Sequence, residues 1–496
     1  MSIKQSIKEL ESCVKSQWKN GMLPHIRFIK GEKGYSPGPK EWNVKNKTLD
    51  NKFKTSGITQ PPVLAIALEK IIFHQSFNKK YLKRIIFLTE RFEFFHSFLF
   101  NYRDPENMDL VSIIHPWESG LDNSPIYDIP NKNAKTKLNN LNIEQSIKNR
   151  QDLHNVVSKF RPGEKDYEVY GKLITFFKKY DYDQKKLSKE SPFIVKDILY
   201  NILLHKSLLS MVNIYNYLYL ETKEKKYEKA KKYNQKRAKF LENSIKNNLY
   251  DKNSKEYYSL CINNNILLKY KTISSLIAKL YFSKNKKEIK KYIYEYQDKS
   301  YLLFLSTSNK EKDIFNPIKY WRGPVWPIIN WIIIDIIKEK NKKISKKISK
   351  KTLKFISEGF DFDKSLYYAK KLMIFNLVYK EFTTPSKTQY KHGWLWDSGF
   401  ASIGWINIRG KDLKRIKEDQ TYKKIYKRKQ QLIKNGKPLN KIRKILKKEF
   451  LAPLFDEYYV GAKNINRYKY GEPIGSDLMT WTAAIYIDLY YYLNKK

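Results

Sequence analysis

Cysteine is almost absent from this chain. Among its 496 residues there are two cysteines, Cys13 and Cys261, which lie far apart in the sequence. Two cysteines cannot build a disulfide framework, and their separation does not match the spacing of zinc ligands. We therefore expect a protein of a reducing compartment. Because no other plausible metal-ligand spacing is present, we also expect no metal and no cofactor.

Long apolar segments are missing as well. The most apolar run, residues 325–337, is shorter than the roughly 20 residues that a membrane-spanning helix needs. It also contains Pro327, Asn330 and Asp335. The first residues of the chain turn polar at once and lack the apolar core of a secretory signal. The sequence therefore predicts a soluble, cytoplasmic protein without a membrane partner.

Acidic residues are scarce relative to basic ones: 50 Asp and Glu stand against 97 Lys and Arg, a formal net charge of +47. Such an excess often indicates a polyanionic partner. Here the cations are mostly lysine, are spread over the whole chain and accompany abundant Ile, Asn and Tyr. That mixture is typical of an A/T-rich genome, so we expect no nucleic-acid partner, with a functional polybasic surface as the alternative.

Alternating strand patterns are rare, whereas helical periodicity is common. With 41% hydrophobic and 15% aromatic residues, the chain can bury a large core and is not a disordered basic tail. Apolar residues recur at helical spacing, for example over 85–100 and 195–220. Connections rich in Gly, Pro, Asn, Asp and Trp separate these stretches. The pattern predicts an all-α architecture whose loops carry the function.

Two stretches have the composition of charged insertions. Residues 338–354 are a Lys/Ser/Ile segment, interpreted most simply as the solvated face of a helix pair. Residues 410–448 are highly charged, with Tyr422, Ile425 and Leu432 as their few apolar anchors. A basic amphipathic helix there could contact a membrane or RNA, but a long exposed helical hairpin is the simpler interpretation.

One loop, residues 115–125, combines the groups that a sugar site needs. It reads His-Pro-Trp-Glu-Ser-Gly-Leu-Asp-Asn-Ser-Pro, and Gly120 and Pro125 bracket a turn between its two carboxylates. An indole such as Trp117 can stack on a sugar ring, while Glu118, Asp122 and an amide can bind hydroxyls. The alternative is a surface loop with an Asx-turn after Asp122.

A second segment, residues 320–331, places three tryptophans and an arginine around a Gly-Pro turn that opens an apolar helix. The start of a core helix accounts for its isoleucines. It does not account for Arg322 between Trp321 and Trp326, which is typical of a binding wall with a fixed guanidinium.

These two segments closely resemble glycoside hydrolase family 63, in the branch that includes mannosylglycerate and glucosylglycerate hydrolases. Further pieces agree in the same order: Gly-Met-Leu-Pro-His-Ile at 21–26, Tyr-Ser-Pro-Gly-Pro at 35–39, Thr-Gln-Pro-Pro at 59–62, Phe-Asp-Glu-Tyr-Tyr at 455–459 and Met-Thr-Trp-Thr-Ala-Ala at 479–484. The similarity runs from about residue 13 to 490.

The resemblance implies one (α/α)6 barrel domain over 1–496, with inner and outer helices and active-site loops at one end. It also implies inverting hydrolysis of the α-glycosidic bond of a small glycoside, most simply glucosylglycerate or mannosylglycerate. A neutral α-glucoside or a trehalose-like sugar remains open as the substrate. A catalytically silent carbohydrate- or nucleic-acid-binding protein on the same scaffold is the alternative from another class, and no oligomeric state is indicated.

By position in the family's motifs, Asp122 would be the general acid and Glu457 the general base, with Glu118 as a competing acid. An inverting site holds its two carboxyls roughly 6.5–9.5 Å apart to admit water. Tyr35 would lie on the aglycone side. The substrate contacts that the resemblance implies are Tyr35, Trp42, Gln60, Trp117, Glu118, Asn123, Trp321, Arg322, Trp326 and Trp481.

The chain departs from the family pattern in one respect. A Trp-Asp-Ser-x-Phe-x-Ala helix usually stands ahead of the Leu-Pro-His segment, whereas here a similar stretch lies at 394–404. The first and last helices of a closed barrel are neighbours. Residues 387–409 are therefore a candidate for a relocated barrel helix, with truncation and an unrelated insertion as the alternative.

Overall fold

The structure is a computed structural model. The residues that it describes are 2–30, 36–51, 53–143, 150–154, 156–296, 303–357, 360–379, 391–394, 400–403, 406–408, 420–455 and 480–494.

Helices make up most of the described chain. In chain order they are α1 Ser2–Val14, α2 Pro39–Trp42, α3 Leu64–Ile72, α4 Leu82–Arg103, α5 Asp128–Lys137, α6 Glu164–Lys179, α7 Gln184–Glu190, α8 Ile198–Thr222, α9 Lys225–Asn248, α10 Ile273–Phe282, α11 Lys286–Tyr296, α12 Pro327–Ile337, α13 Lys342–Ile356, α14 Phe362–Tyr379, α15 Thr421–Lys434, α16 Leu439–Phe450 and α17 Thr480–Asn494.

The helices form two layers. Helices α3, α8, α10, α12 and α17 pack side by side in that order as an inner layer. Every residue of α12 is buried, and seven of the nine residues of α3 are buried, as expected for helices that are apolar on all sides. The outer layer follows from the connections: α9 packs on α8, α11 on α10, α13 on α12 and α14 on α17. This is an (α/α)6 barrel, so the predicted fold class is confirmed.

In the part of the chain that the structure describes, no helix is both long enough and apolar enough to cross a membrane.

Helix α13 contains most of the charged stretch 338–354 and has the solvated lysine face that the sequence predicted. Ile348, Leu353 and Ile356 form a buried stripe on this helix, which packs on α12 and α17. Its lysines lie on the opposite side. The segment is therefore an integral outer helix of the barrel, and its many lysines concealed an apolar residue at every third or fourth position.

The second charged stretch is a helical hairpin from residue 420 onward. Helices α15 and α16 pack against each other, and α15 also contacts α14. The three predicted anchors, Tyr422, Ile425 and Leu432, are all buried in this hairpin. The first part of the stretch, residues 410–419, lies outside the described residues.

Short strands lie among the loops. They are β1 Ile26–Lys30, β2 Lys54–Thr55, β3 Val195–Lys196, β4 Tyr250–Asp251, β5 Glu256–Tyr257, β6 Ser259–Cys261, β7 Ile266–Leu268 and β8 Lys391–Trp394. They pair in the orders β2-β1-β8, β3-β6-β7 and β4-β5. The pairing of β1 with β8 is antiparallel, with Ile26 opposite Trp394. This sheet brings residues from late in the chain beside the turn at 21–26.

Gly21, the first residue of that turn, has a conformation that only glycine adopts readily. Its φ is +97°, and a Cβ built there would lie 2.5 Å from the carbonyl oxygen of Phe94 in α4. Gly436, between α15 and α16, has a φ of +69° but nothing within 4 Å of such a Cβ. An alanine at either position would strain the backbone, but only at position 21 would its Cβ also clash with a neighbouring atom.

We expect Gly21→Ala to lower the free energy of unfolding by roughly 3 kcal/mol, because it combines left-handed strain with a clash against backbone. Gly436→Ala should cost only about 1 kcal/mol, from the strain alone. Urea unfolding of the two variants and the parent chain measures both values. Equal losses in the two variants would contradict the steric argument.

Candidate active site

The loop 115–125 is built from two short 3₁₀ turns, Pro116–Ser119 and Pro125–Tyr127. His115 caps the first turn by accepting a hydrogen bond at Nδ1 from the backbone N–H of Trp117, at 3.1 Å. Gly120 then reverses the chain with a φ of +75°. Glu118 and Asp122 consequently stand on either side of the turn, as the sequence predicted, and Asp122 remains only 7% exposed.

Glu118 does not face a substrate, and this corrects its prediction as a contact and a competing acid. Its carboxylate has no exposed surface and forms an ion pair with Arg103, which is equally buried. Oε2 accepts from Arg103 Nη1 at 2.9 Å and from the N–H of Ile114 at 2.7 Å. Oε1 accepts from Arg103 Nη2 at 2.7 Å and from the N–H of Thr59 at 3.1 Å. A buried charge must be paired in this way, and these four bonds occupy both oxygens.

Two buried tyrosines hold the loop around Asp122. Tyr170 donates its hydroxyl to the backbone carbonyl of Asp122 at 3.0 Å, and Tyr127 donates to Asp197 Oδ2 at 2.8 Å. Burial, followed by the nearby carboxylates, raises the pKa of both tyrosines well above the ordinary value. Burial also raises the pKa of Asp197. The hydroxyls therefore stay protonated and act as fixed donors.

Asn123 joins the two segments that the sequence singled out. Its Oδ1 accepts a hydrogen bond from the backbone N–H of Trp321 at 3.0 Å. Trp321 and Trp326 stack face to face with ring centroids 3.6 Å apart. Trp326 is 1% exposed and donates Nε1 to the carbonyl of Tyr320 at 3.1 Å. Trp326 is thus a core residue behind the wall, which differs from its predicted role as a substrate contact.

The guanidinium of Arg322 forms an ion pair with a carboxylate of the protein, Asp128. Its Nη1 lies 3.1 Å from Asp128 Oδ2, and its Nη2 contacts Asp128 Oδ1 as well. Asp128 begins α5, directly after the loop 115–125. A two-pronged guanidinium–carboxylate pair fixes orientation as well as position. Arg322, predicted as a substrate contact, thus pairs with Asp128 and clamps the 320–331 segment to the start of α5.

An aromatic wall surrounds Trp117. The ring centroid of Trp117 lies 4.8 Å from His115, 6.3 Å from His25 and 6.4 Å from Trp42. Trp117 is partly exposed, whereas Trp42 is fully buried. Gln60 is buried at 4% exposure, and its backbone carbonyl accepts from Tyr200. The loops that carry Trp42 and Gln60 therefore both contact the loop 115–125, through Trp117 and Glu118.

Several buried polar atoms near Asp122 have no hydrogen-bond partner within the described part of the chain. Polar atoms buried without a partner are rare in folded proteins, and a cluster of them indicates a place for a ligand or for another segment. The atoms are Trp42 Nε1, Asn123 Nδ2, Ser124 Oγ and Trp321 Nε1.

An arginine cluster beside the wall was missed by the sequence analysis. Asp152 accepts from Arg150 Nη2 at 2.6 Å, from Arg161 Nε at 3.0 Å and from the hydroxyl of Tyr167 at 3.1 Å. Burial alone would raise the pKa of Asp152, but Arg161 and Arg150 outweigh it and lower the pKa to about 2. The cluster thus carries two guanidinium groups and one carboxylate.

The same arginines cover two aromatic rings of the site. Arg150 lies 3.8 Å from the ring centroid of Tyr167, and Arg161 lies 4.2 Å from that of Tyr320. Tyr167 is in turn 6.2 Å from Trp117. The sequence does contain an indication of this cluster. In a chain that uses lysine for most of its positive charges, an arginine indicates a position that needs a planar, forked donor.

For three predicted residues the described part of the chain shows no contact with the site. Tyr35 and Glu457 lie outside the described residues. Trp481 belongs to the first turn of α17. Their roles stay predictions.

His115 generates a test of the loop's electrostatics. Its Nδ1 is an acceptor for Trp117, and its Nε2 lies 3.2 Å from the carbonyl of Tyr170, which fits a neutral ring. Burial lowers the pKa of His115 to about 3, although the bond to Tyr170 opposes that shift. In the unfolded chain a histidine takes up its proton near pH 6.5. The stabilisation is therefore complete above pH 6.5 and is lost as the pH falls towards 3.

The variant His115→Asn keeps a cap acceptor but cannot titrate. We expect the difference in unfolding free energy between parent and variant to shrink on acidification below pH 6.5, approaching about 1.4 kcal/mol per pH unit. Urea unfolding at pH 7, 6, 5 and 4 measures that difference, in which the other histidines cancel. A difference independent of pH would refute the buried, neutral state of His115.

Comparison with known proteins identifies the family of this chain and agrees with its fold. A family model described as the mannosylglycerate hydrolase MGH1-like glycoside hydrolase domain matches residues 6–340. Mannosylglycerate hydrolase MGH1 from Selaginella moellendorffii is 36% identical over 207 residues, covering 42% of this chain. Glucosylglycerate hydrolase from Mycolicibacterium hassiacum is 27% identical over 359 residues, covering 67% of this chain and 75% of that protein. The match to the Selaginella protein spans only 40% of its length.

A solved structure shares the architecture. The GH63 mannosylglycerate hydrolase from Thermus thermophilus, crystallised with Tris and D-glycerate, superposes with a TM-score of 0.64 at 21% identity. The superposition covers 99% of this chain and 89% of that chain. This likeness concerns the fold. Since the family model spans well over half of the sequence and includes the loop of Asp122, the chain belongs to the mannosylglycerate hydrolase MGH1-like glycoside hydrolase family.

Proposed function

We propose that the chain is an inverting α-glycosidase that hydrolyses a small glycoside with a carboxylate on its aglycone, namely mannosylglycerate or glucosylglycerate. The observation that carries this proposal is the setting of Asp122. This carboxyl is almost removed from water at the tip of a braced turn, beside a partly exposed indole and buried polar atoms without partners among the described residues.

The proposed reaction divides the work between two carboxyls. Asp122 donates a proton to the glycosidic oxygen, and Glu457 removes a proton from the water that attacks the opposite face of the sugar. A carboxyl shielded from water favours its protonated form, which is the form that an acid needs. The assignment of Glu457 rests on its motif.

The sugar itself would be held by stacking and by neutral donors. Trp117 offers a partly exposed indole face, the type of surface on which a pyranose packs. The amide Nδ2 of Asn123, the hydroxyl of Ser124 and the indole N–H of Trp321 supply groups that suit sugar hydroxyls. Because each is buried and fixed, ordering them on binding costs little conformational entropy.

The arginines of the neighbouring cluster support an anionic aglycone. Arg150 and Arg161 both donate to Asp152, and Arg150 packs on the ring of Tyr167, which lies 6.2 Å from Trp117. Guanidinium groups bind carboxylates in a forked geometry. The relatives' names, mannosylglycerate and glucosylglycerate hydrolase, agree with such a substrate.

We further propose that the fold is one domain over 1–496, in which residues 387–409 complete the inner layer. Two observations support this: β8 pairs with β1, and the ring of Phe400 packs edge-on against Trp331 of α12 at 5.2 Å. Phe400 and Ile403 line the same internal cavity as Ile66 of α3 and Leu203 of α8. Residues 387–390, 395–399, 404–405 and 409 of this segment lie outside the described residues.

The catalytic assignment is tested by Asp122→Asn and Glu457→Gln. Each should lower kcat for mannosylglycerate or glucosylglycerate by roughly 1000-fold or more, because one proton transfer is lost. Released sugar is measured enzymatically, and circular dichroism verifies the fold. Asp181→Asn, at an exposed ion pair with Lys47, is the control and should keep full activity.

Stereochemistry gives an independent result on the same reaction. Proton NMR during hydrolysis should show the β-anomer of the sugar appearing first, as inversion at an α-glycoside requires. Initial release of the α-anomer, or full activity of either carboxyl variant, would overturn the mechanism.

The aglycone assignment is tested by Arg161→Gln. We expect KM for mannosylglycerate to rise roughly tenfold, the loss of about one charge-assisted hydrogen bond, while hydrolysis of methyl α-mannoside stays unchanged. Arg150 still donates to Asp152 in this variant, so that carboxylate keeps a cationic partner. Arg428→Gln on the α15–α16 hairpin is the control. An equal effect on both substrates would count against a carboxylate subsite.

A further inference from the structure

We propose that Arg103 and Glu118 are positioning residues that lock two active-site loops in register, so that the acid Asp122 meets the glycosidic oxygen. The inference rests on the proposed hydrolase function and goes beyond it. Neither residue touches the substrate, and both would act through the geometry that they impose on the loops 57–60 and 115–125.

Glu118 ties the two loops together directly. It lies within the loop 115–125 between the His115 cap and Asp122, and its Oε1 accepts the backbone N–H of Thr59 at 3.1 Å. Thr59 immediately precedes Gln60. One carboxylate oxygen therefore fixes the distance between the loop of the acid and the loop of a proposed substrate contact.

Arg103 anchors the same pair of loops from the framework. It is the last residue of the 22-residue helix α4, and its Nη2 also donates to Oε1 of Gln184 at 2.7 Å. Gln184 begins α7 and donates Nε2 to the carbonyl of Gly57 at 3.3 Å and to that of Tyr182 at 3.0 Å. The loop 57–60 is thus held at both ends, by Glu118 at Thr59 and by Gln184 at Gly57.

The packing leaves this network little freedom to move. Arg103 and Glu118 have no exposed surface, so water cannot replace a broken bond. A Cβ on Gly57 would meet the Tyr182 ring at 2.1 Å, which shows how closely the loop is pressed against its support. Proton transfer to a leaving group is sensitive to displacements of about 1 Å. A looser pair should therefore impair acid catalysis before it impairs binding.

The test compares a substrate that needs the acid with one that does not. The glycerate of mannosylglycerate is a poor leaving group that must be protonated, whereas the fluoride of α-mannosyl fluoride departs with little help from an acid. The variants are Arg103→Lys, which keeps the charge but loses the fork, and Gln184→Met, which removes one contact and leaves the ion pair intact. Circular dichroism and thermal melting verify that each variant folds, and Gln184→Met is the milder choice should Arg103→Lys fail to fold.

The expected result for Arg103→Lys is a fall of roughly 100-fold in kcat on mannosylglycerate, the size of a general-acid contribution. KM should stay within about threefold, and kcat on α-mannosyl fluoride should change less than about fivefold, since the acid is not needed there. Gln184→Met should show the same selectivity at smaller amplitude.

Glu93→Gln is the matched control. Glu93 is a carboxylate of α4 that accepts from Tyr215 of α8 and from Asn234 and Arg237 of α9, so it ties this helix to helices other than those of the two loops. It should lower the melting temperature without changing either rate, which separates general stability from positioning.

The possible results separate the inference from the proposed function. A parent protein that hydrolyses neither mannosylglycerate nor glucosylglycerate would overturn the proposed function and the inference with it. An active parent with both variants at full kcat on mannosylglycerate would overturn the inference alone. Equal losses on mannosylglycerate and on α-mannosyl fluoride would also overturn it, since general damage and not displacement of the acid would then explain the loss.

Discussion

The burial of helices that are apolar on every side is the constraint on which the rest of this molecule depends. All eleven residues of α12 are buried, and such a helix has no face to offer to water. It can exist only when other helices surround it, so inner helices need an outer layer. Helices of both layers then end at the same two ends of the barrel, and the loops between them converge there. The aromatic wall and Asp122 are products of that convergence.

A charged side chain buried in this apolar interior needs an oppositely charged partner nearby. Glu118 pairs with Arg103, and Asp152 pairs with two arginines. Asp335 of α12 pairs with Lys70, Lys206 and Lys338, all within 3.0 Å. Burial alone would raise the pKa of Asp335, and these lysines lower it well below its ordinary value. Some of the many lysines therefore have a structural role, although the excess as a whole is typical of an A/T-rich genome.

Local signals in the sequence predicted the architecture well. Helical periodicity predicted the all-α class, and the segments 115–125 and 320–331 were each singled out, although nothing in the sequence showed that they lie together. Their contact, Asn123 with the backbone of Trp321, was not predictable from spacing, because it joins residues far apart in the chain. The hairpin anchors Tyr422, Ile425 and Leu432 were visible because apolar residues stand out in a charged stretch.

The errors have physical causes that a single sequence hides. Whether Glu118 points to a substrate or inward depends on the 3₁₀ turn and on Arg103, whose proximity only the fold creates. Arg150 and Arg161 belong to no motif in the sequence. Their role becomes visible only in the fold, where both bind Asp152. Residues 338–354 have the composition of a charged insertion because lysines outnumber the isoleucines that bury one side of the helix.

The pairing of β8 with β1 has a consequence for how this protein is made. Strand β1 emerges from the ribosome near the start of synthesis, whereas its partner at 391–394 follows only after most of the chain. Until then one edge of β1 has no strand beside it, and exposed strand edges recruit foreign chains. Contacts of such long range also slow folding. The barrel is therefore closed late in synthesis. Until then the free edge of β1 is exposed to other chains.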